Sequence, residues 1–579
     1  MPATNRRTSQ PSTVSAEAIL GAIALVALAA LVGGAWAALH LANLLADPAQ
    51  DLPANPFTLI VALALGEASW SSGATAVAAA EVLLAAGTAV LITWLRRRGR
   101  KARSRVDAAA TYMGSGDELA ALTEQGAAAT ARRLGITDSP GVPIGRTVDG
   151  SQMLYGSWED MHIDIWGPRT GKTTSRAIPA ILAAPAGSSV LVTSNKRDAT
   201  DATRDVRADI TGNTPWVFDP QQIATEEPTW WWNPLSYVTD EVKAAQLAGH
   251  FASGTRDASA QTDAFFDGAG KNLLAGLLLA AALDERPITD VYTWLTRPTD
   301  DTPVGILADH DYPLQADAVS ENVNAPDKQR AGVAGTAAQM AACLTNTRIH
   351  PWITRQGGHD TRPHFDPHAF ATGGHTLYSL SKEGAGTAGP LVTALTVAVA
   401  EAGEELGARS RGGRLERPML GVLDEVANVC KWADLPNQYS HYGSRGIVLM
   451  AILQSWSQGV EVWGEAGMRK LWSAANVKVY GGGVSETAFL QELSQLIGDH
   501  DRRSVSASIS SDSRSTTRSL NDMTTMDVAD LGALPRGRAV AIASGAPPTL
   551  IQTVPWMAGP RAQAVKDSIA AHEPGRRQP

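Results

Sequence analysis

Two cysteines in 579 residues, Cys343 and Cys430, leave no material for a disulfide framework and fit a reducing, cytosolic setting for the bulk of the chain. Positive charge is also in deficit. Forty-nine Lys and Arg against fifty-eight Asp and Glu give a formal charge of −9, which argues against a protein that coats nucleic acid by global attraction. A local basic groove or pore lining remains open, because affinity for phosphates depends on where the arginines sit. Residues 47–72 contain Asp47, Asp51 and Glu67 but no Lys or Arg. The length allows two to four domains, and 44% hydrophobic content is enough to fill a sizeable core.

The first hundred residues differ in kind from the rest. Residues 18–39 form an uncharged run, and residues 74–95 a second one broken only by Glu81. Each is long enough to cross a hydrocarbon layer of about 30 Å at about 1.5 Å per residue. Arg6 and Arg7 precede the first run. Arg96, Arg97, Arg98, Arg100, Lys101, Arg103 and Arg105 follow the second, so the positive-inside rule puts both ends in the cytoplasm. A secretory signal peptide is the competing reading, but its apolar region spans only about 7 to 15 residues. Residues 56–66 are apolar yet too short to cross, and they read as an interfacial segment between two spans.

Residues 161–174 read as a short apolar strand, a phosphate-gripping turn and the start of a helix. In Gly167, Pro168, Arg169, Thr170, Gly171, Lys172, Thr173 and Thr174 the glycines let backbone N–H groups crowd around phosphate oxygens. Lys172 has the reach for the β- and γ-phosphates, Thr173 offers a hydroxyl to Mg²⁺, and the helix start adds its positive dipole end. The common form of this loop has four residues between its first glycine and the Gly-Lys pair; Gly167 and Gly171 are separated by three. Either Trp166 occupies the first glycine's place or the loop is one residue tight.

A second strand, residues 418–423, ends in Asp424 and Glu425. This is the form of a Walker B strand, in which Asp424 holds Mg²⁺ through its water shell and Glu425 polarises the attacking water as general base. Alone, such a pair is an ordinary strand terminus; beside a phosphate loop it is half of a nucleotide site. A third apolar strand, 447–453, ends in Gln454, placed to contact the γ-phosphate or the water. Residues 477–480 form another strand, and Gly481, Gly482 and Gly483 after it read as a flexible turn, since no Gly-Lys-Thr comes next.

Around these motifs, 107–133 has an Ala-rich helical pattern and 172–184 is helical up to a break or kink at Pro179. Strands alternate with helices as far as Tyr237, which predicts a doubly wound α/β sheet. Residues 240–353 are helical in pattern, interrupted by a Pro/Asp-rich loop at 298–313. The domain limits are a membrane anchor at 1–105, the first part of the ATPase domain at 106–238, an all-helical insertion at 239–356, the second part at 357–558, and an unstructured tail at 559–579. Trp230, Trp231 and Trp232 read as packing between motor and insertion.

The ordered set, with Phe218-Asp219-Pro220, Asn233-Pro234-Leu235, Leu377-Tyr378-Ser379-Leu380 and Leu534-Pro535-Arg536-Gly537-Arg538, resembles the TraD/TraG coupling ATPases of type IV secretion over residues 18–557. The resemblance implies a RecA-like P-loop ATPase domain with an all-α insertion, behind a two-helix transmembrane hairpin. It implies a homo-hexamer in the bacterial cell membrane, multi-pass, with the ATPase domain in the cytoplasm and ATP and Mg²⁺ as cofactors. Its partners are single-stranded, relaxase-bound DNA, the secretion channel and the lipid bilayer. Carried over, Lys172, Thr173, Asp424, Glu425 and Gln454 are the phosphate lysine, the metal threonine, the Walker B pair and the sensing glutamine. In the ring that the resemblance implies, Lys196 and Arg197 are weak candidates for gripping DNA and Arg445 for an arginine finger. Two rivals stand beside it: a double-stranded DNA pump of the FtsK/HerA type and a nucleotide-binding docking platform without turnover.

Overall fold

Seven parallel strands, mostly apolar and largely buried, form the centre of the protein, as expected of strands covered by helices on either side. The computed structural model describes residues 16–46, 48–99, 104–255, 264–384, 386–510 and 513–574. The strands are β1 (Val142–Thr147), β2 (Met153–Gly156), β3 (His162–Ile165), β4 (Val190–Ser194), β5 (Trp216–Phe218), β6 (Thr376–Leu380), β7 (Met419–Leu423), β8 (Ile447–Leu453) and β9 (Val477–Tyr480). They continue with β10 (Asp499–Ser510), β11 (Ser513–Thr524), β12 (Arg538–Ala543) and β13 (Thr549–Gln552). Eleven of them make one sheet in the order β2-β1-β13-β12-β9-β3-β8-β7-β4-β6-β5. From β9 to β5 all neighbours are parallel, while β12, β13, β1 and β2 extend the sheet antiparallel.

Strand register sets which side chains can meet. Ile165 at the end of β3 pairs with Leu453 at the end of β8, and Leu423 at the end of β7 pairs with Ala451. The residues after these three strands therefore emerge side by side at one sheet edge.

The chain divides into two units. One comprises Met1–Arg105 and His500–Met523, the other Val106–Asp499 and Thr524–Pro579. In the first, helices Ala16–Asn43 and Ser72–Gly99 pack on each other, and Gly34 leaves room for the Glu81 carboxylate, 3.3 Å from where a Cβ would stand. The segment between them holds a short helix, Pro56–Leu65, capped by the Asn55 side chain at its start and by left-handed Gly66 at its end. Arg6, Arg7, Arg100, Lys101 and Arg103, five of the cations behind the orientation argument, lie outside the described residues. Among the described residues, the one helix long and apolar enough to cross a membrane is Ala264–Leu283, which is packed in the core of the second unit. The described parts of the amino-terminal helices give shorter apolar stretches, Leu28–Asn43 and Ser72–Thr88.

In the second unit the chain from β5 to β6 is helical, with Glu241–Thr255, Ala264–Leu283 and Asp327–Met340 packed together. The expected loop at 298–313 contains instead a helix, Thr302–Asp309, and runs into another, Pro313–Val323. Pro303 and Pro313 sit in first turns, where a missing N–H costs nothing, so proline here starts helices rather than breaking them. Trp230 meets Trp352 edge-on at 5.9 Å and Phe365 at 5.3 Å, and the Trp232 N–H donates to the Trp352 carbonyl at 2.9 Å. Packing is therefore the role of Trp230 and Trp232, both buried.

Three further expectations are corrected. The Ala-rich stretch 107–133 is broken into four short helical pieces, because Gly114 is pressed against Thr549 and Pro547 and Gly116 takes a positive φ of 57°. The helix after the phosphate loop opens as a π-turn, Thr173–Ala177, before becoming α at Ile178–Ala183; Pro179 has no N–H to offer the α-ladder. Within the expected unstructured tail, Ala562–His572 is a helix against Asp198–Thr211, with Val565 fully buried. Residues 575–579 lie outside the described residues.

Candidate nucleotide site

The phosphate loop leaves β3 at Trp166, whose ring turns down into the core beside Val477 and Val479. Gly167 then runs so close to the chain after β9 that a Cβ on it would lie 2.0 Å from the Gly483 carbonyl, and its N–H donates to the Gly482 carbonyl at 2.9 Å. The three glycines 481–483, expected to be a flexible turn, are thus the wall against which the loop is laid. Gly171, at φ 96°, takes a conformation that L side chains rarely adopt. Thr170 and Thr174 tie the turn with hydroxyl bonds to the Gly167 and Gly171 carbonyls, at 2.5 and 3.0 Å.

This loop delivers Lys172 to the carboxylates after β7. Its ammonium stands 2.5 Å from Glu425 Oε1 and 3.6 Å from Asp424 Oδ1. The Thr173 hydroxyl donates to Asp424 Oδ2 at 3.2 Å. From the end of β8, the Gln454 amide donates to Glu425 Oε2 at 2.6 Å. Lys172, Thr173, Asp424, Glu425 and Gln454, distant in sequence, converge within hydrogen-bonding reach. Both carboxylates are nearly inaccessible, with side-chain exposures of 4% and 2%.

Burial pushes the Asp424 carboxyl above its ordinary range; Lys172 opposes that shift and Glu425 reinforces it. Burial acts upward on Glu425 too, but the bonded Lys172 ammonium and the Gln454 amide outweigh it and hold this carboxyl below its ordinary value. Glu425 also has a left-handed backbone, φ 57°, which for a residue with a Cβ costs about 1 to 3 kcal/mol and persists where surrounding structure enforces it. Asp424 Oδ1 is buried without a hydrogen-bond partner. That oxygen has the Lys172 ammonium, 3.6 Å away, as a charge partner; with the Thr173 hydroxyl it makes a donor set of hard oxygens that suits Mg²⁺. Among the described residues no cluster of three or more His, Cys, Asp or Glu could hold a metal by itself, so such a cation would take its remaining ligands from water and phosphate.

Beneath the loop lies a pair that sequence pattern did not single out. Arg176, on the π-turn, donates twice to Asp164 on β3, at 2.6 and 3.1 Å, and both are fully buried. Its guanidinium also reaches the Pro143 carbonyl and stands 3.4 Å from His162 Nδ1. The signal was available: two polar residues, His162 and Asp164, inside an otherwise apolar parallel strand. Asn428 and Gln458 were not singled out either. Asn428 Nδ2 is 3.3 Å from Glu425 Oε2, and Gln458 Nε2 donates to Asn428 Oδ1 at 2.9 Å.

The weaker candidates lie elsewhere. Arg197 is held by Asp201 and by the His572 carbonyl. Arg445 precedes β8, at the opposite sheet edge from Gln454, and donates to the Gly413 carbonyl at 3.1 Å.

Residues 418–536 match the family model described as the TraM recognition site of TraD and TraG. That stretch carries β7, β8, the glycine turn and both carboxylates. Comparison with curated proteins finds no match. Among solved structures, the bacterial conjugative coupling protein TrwBdeltaN70 in an unbound monoclinic form is similar with a TM-score of 0.50 and 18% identity, over 71% of this chain and 88% of that one. The plasmid coupling protein TrwB in complex with the non-hydrolysable GTP analogue GDPNP is similar with a TM-score of 0.50 and 17% identity, over 71% and 89%. The chain thus shares the mixed α/β fold of these proteins, and the family match supports a coupling protein of the TraD/TraG type.

Proposed function

We propose that this chain is a membrane-anchored, ATP-driven motor that couples relaxase-bound DNA to a type IV secretion channel in bacterial conjugation. The observation that carries the motor reading is the meeting of Lys172 with Asp424 and Glu425 at one sheet edge. The coupling role is supported by the family match over 418–536 and by the shared fold. TraM, named in the family model, is the class of partner that the exposed parts of this stretch would meet.

In this reading the backbone of Gly167 to Thr174 cradles the phosphates of ATP, and Lys172 leaves Glu425 to pair with the β- and γ-phosphates. Thr173 and Asp424 would hold Mg²⁺, which when bound would supply charge neutralisation at the phosphates. Glu425, released from Lys172, takes a proton from the water that attacks the γ-phosphorus as the bond to the bridging oxygen breaks. Gln454, already on the Glu425 carboxylate, reports the γ-phosphate to the next strand. A tight, catalytically silent loop would misplace Lys172; its position against both carboxylates favours turnover over the docking platform.

Anchoring rests on the amino-terminal unit, where Leu31, Leu83 and Leu84 are 73%, 73% and 76% exposed on helices rich in Ala, Val and Leu. Apolar side chains displayed this fully have a lipid surface as their natural cover. A homo-hexamer is the assembly that fits a DNA-threading ring.

The experiment is ATP hydrolysis by the detergent-solubilised full chain with and without single- and double-stranded DNA, alongside Lys172→Ala and Glu425→Gln. DNA-stimulated turnover is expected, lost in both variants, with Lys172→Ala failing to bind nucleotide and Glu425→Gln binding and stalling. Equal, near-zero rates in all three proteins would overturn the motor. Stimulation by duplex DNA alone would favour the double-stranded pump.

A further inference from the structure

Glu425 has more donors on its carboxylate than the reaction consumes. Oε1 takes Lys172; Oε2 takes the amides of Gln454 at 2.6 Å and of Asn428 at 3.3 Å. Once Lys172 moves to phosphate, Oε1 is free and Oε2 is still held from two sides. A carboxylate gripped by one oxygen presents the other in a fixed direction, and fixed direction is what general-base catalysis needs.

Asn428 is built to do this. It lies three residues beyond Glu425, in the short helix Val426–Val429, and the left-handed turn at Glu425 brings its side chain back over the carboxylate. Its amide has one workable orientation. Oδ1 accepts from Gln458 Nε2 at 2.9 Å, and Gln458 Oε1 in turn accepts the Gln454 backbone N–H at 2.9 Å. Nδ2 faces two carboxylates, Glu425 and, at 2.9 Å, Glu383 from the loop after β6. Flipping the amide would turn its oxygen onto two acids and its NH₂ onto a donor, so the network assigns the atoms. Asn195, from the end of β4, donates to the same Glu383 oxygen at 2.5 Å.

We propose that Asn428 is a positioning residue for the hydrolytic water: with Gln454 it clamps Oε2 of Glu425, so that Oε1 is the atom that receives the proton, and it keeps the Glu383 carboxylate from acting on Glu425 directly. The inference rests on the ATPase reading of the same site. No other residue on the Walker B side offers a neutral donor between these two acids among the described residues.

The test uses the full-length chain with DNA, measuring kcat and KM for ATP from about pH 5.5 to 9, together with the affinity for a fluorescent non-hydrolysable ATP analogue. Asn428→Asp keeps the shape and replaces the donor with a third carboxylate. It is expected to lower kcat at pH 7.5 by about tenfold or more and to move the acidic limb of the kcat profile upward by about one pH unit, with KM and analogue affinity within about twofold. Asn428→Ala should lower kcat without the upward shift, separating orientation from charge. Gln458→Ala leaves Asn428 in place but frees its amide to rotate, and should lower kcat in the same direction by a smaller factor; it guards against misfolding at position 428. Wild-type turnover with unchanged kcat and pH profile in all three variants overturns the inference alone. Absent wild-type turnover overturns the ATPase reading and takes the inference with it.

Discussion

The indole of Trp166 lies so close to the backbone of Gly481 that a Cβ there would stand 2.0 Å from a ring carbon. Gly481, just past the end of β9, is what leaves room for the ring at the start of the loop. Gly481→Ala should force the ring aside and with it the start of the loop. A loss of about 1 to 3 kcal/mol is expected from overpacking, accompanied by weaker binding of an ATP analogue. Denaturant unfolding and a nucleotide titration check it; a variant as stable and as tight as wild type would show that the contact relaxes freely.

Thr173 and Asp424 touch through a single 3.2 Å bond, and the second Asp424 oxygen is buried without a hydrogen-bond partner. Asp424→Asn preserves volume and removes the charge. The Mg²⁺ concentration for half-maximal hydrolysis should then rise by about tenfold or more, comparable to the loss seen when groups supporting a metal are removed. Titrating Mg²⁺ at fixed ATP reads it, and an unmoved midpoint would take Asp424 out of the metal's shell.

Acid should weaken the fold through two buried histidines. Burial, aided by Lys243, pushes His250 down to about 4, and burial with Arg176 beside it pushes His162 well below its ordinary value. Both folded-state values lie below the unfolded one of about 6.5, so the unfolded chain binds more protons once the pH drops below that point. The stabilisation is complete above pH 6.5 and is lost as pH falls toward 4, amounting to about 3 kcal/mol for His250. Unfolding free energies at pH 7.5, 6 and 5 should fall progressively, and His250→Leu should flatten the slope.

Ending the chain at residue 559 should cost stability although it removes no motif. The helix Ala562–His572 buries Val565, its Ser568 hydroxyl donates to the Asp201 carbonyl at 2.6 Å, and His572 receives both Arg197 and Arg204. A loss of about 2 to 4 kcal/mol is expected from the vacated apolar contact and the stranded arginines. A thermal melt of the shortened protein would settle it, with an unchanged midpoint as the contrary result.

Much of the chemistry was legible because it is written in local pattern. The strands ending at Leu423 and Leu453 are contiguous apolar runs, the one ending at Ile165 alternates isoleucine with His162 and Asp164, and the residues just past each carry the polar groups. What sequence concealed depends on distant neighbours. Gly481, Gly482 and Gly483 look like slack until Trp166 and Gly167 are placed against them. The tail was read from composition, yet Val565 and Ile569, one helical turn apart, marked an apolar stripe that finds its partner on Asp198–Thr211. Proline misled at 303 and 313, where it starts helices, because its effect depends on which turn it occupies.

Strand β8 lies between β3 and β7, so the lysine and the acids are brought together only by a segment made after both. A polypeptide still emerging from the ribosome carries its amino-terminal helices and its entire phosphate loop well before residues 447–453 exist. The two halves of the candidate site are therefore strangers until residues 447–453 wedge between the strands that carry them.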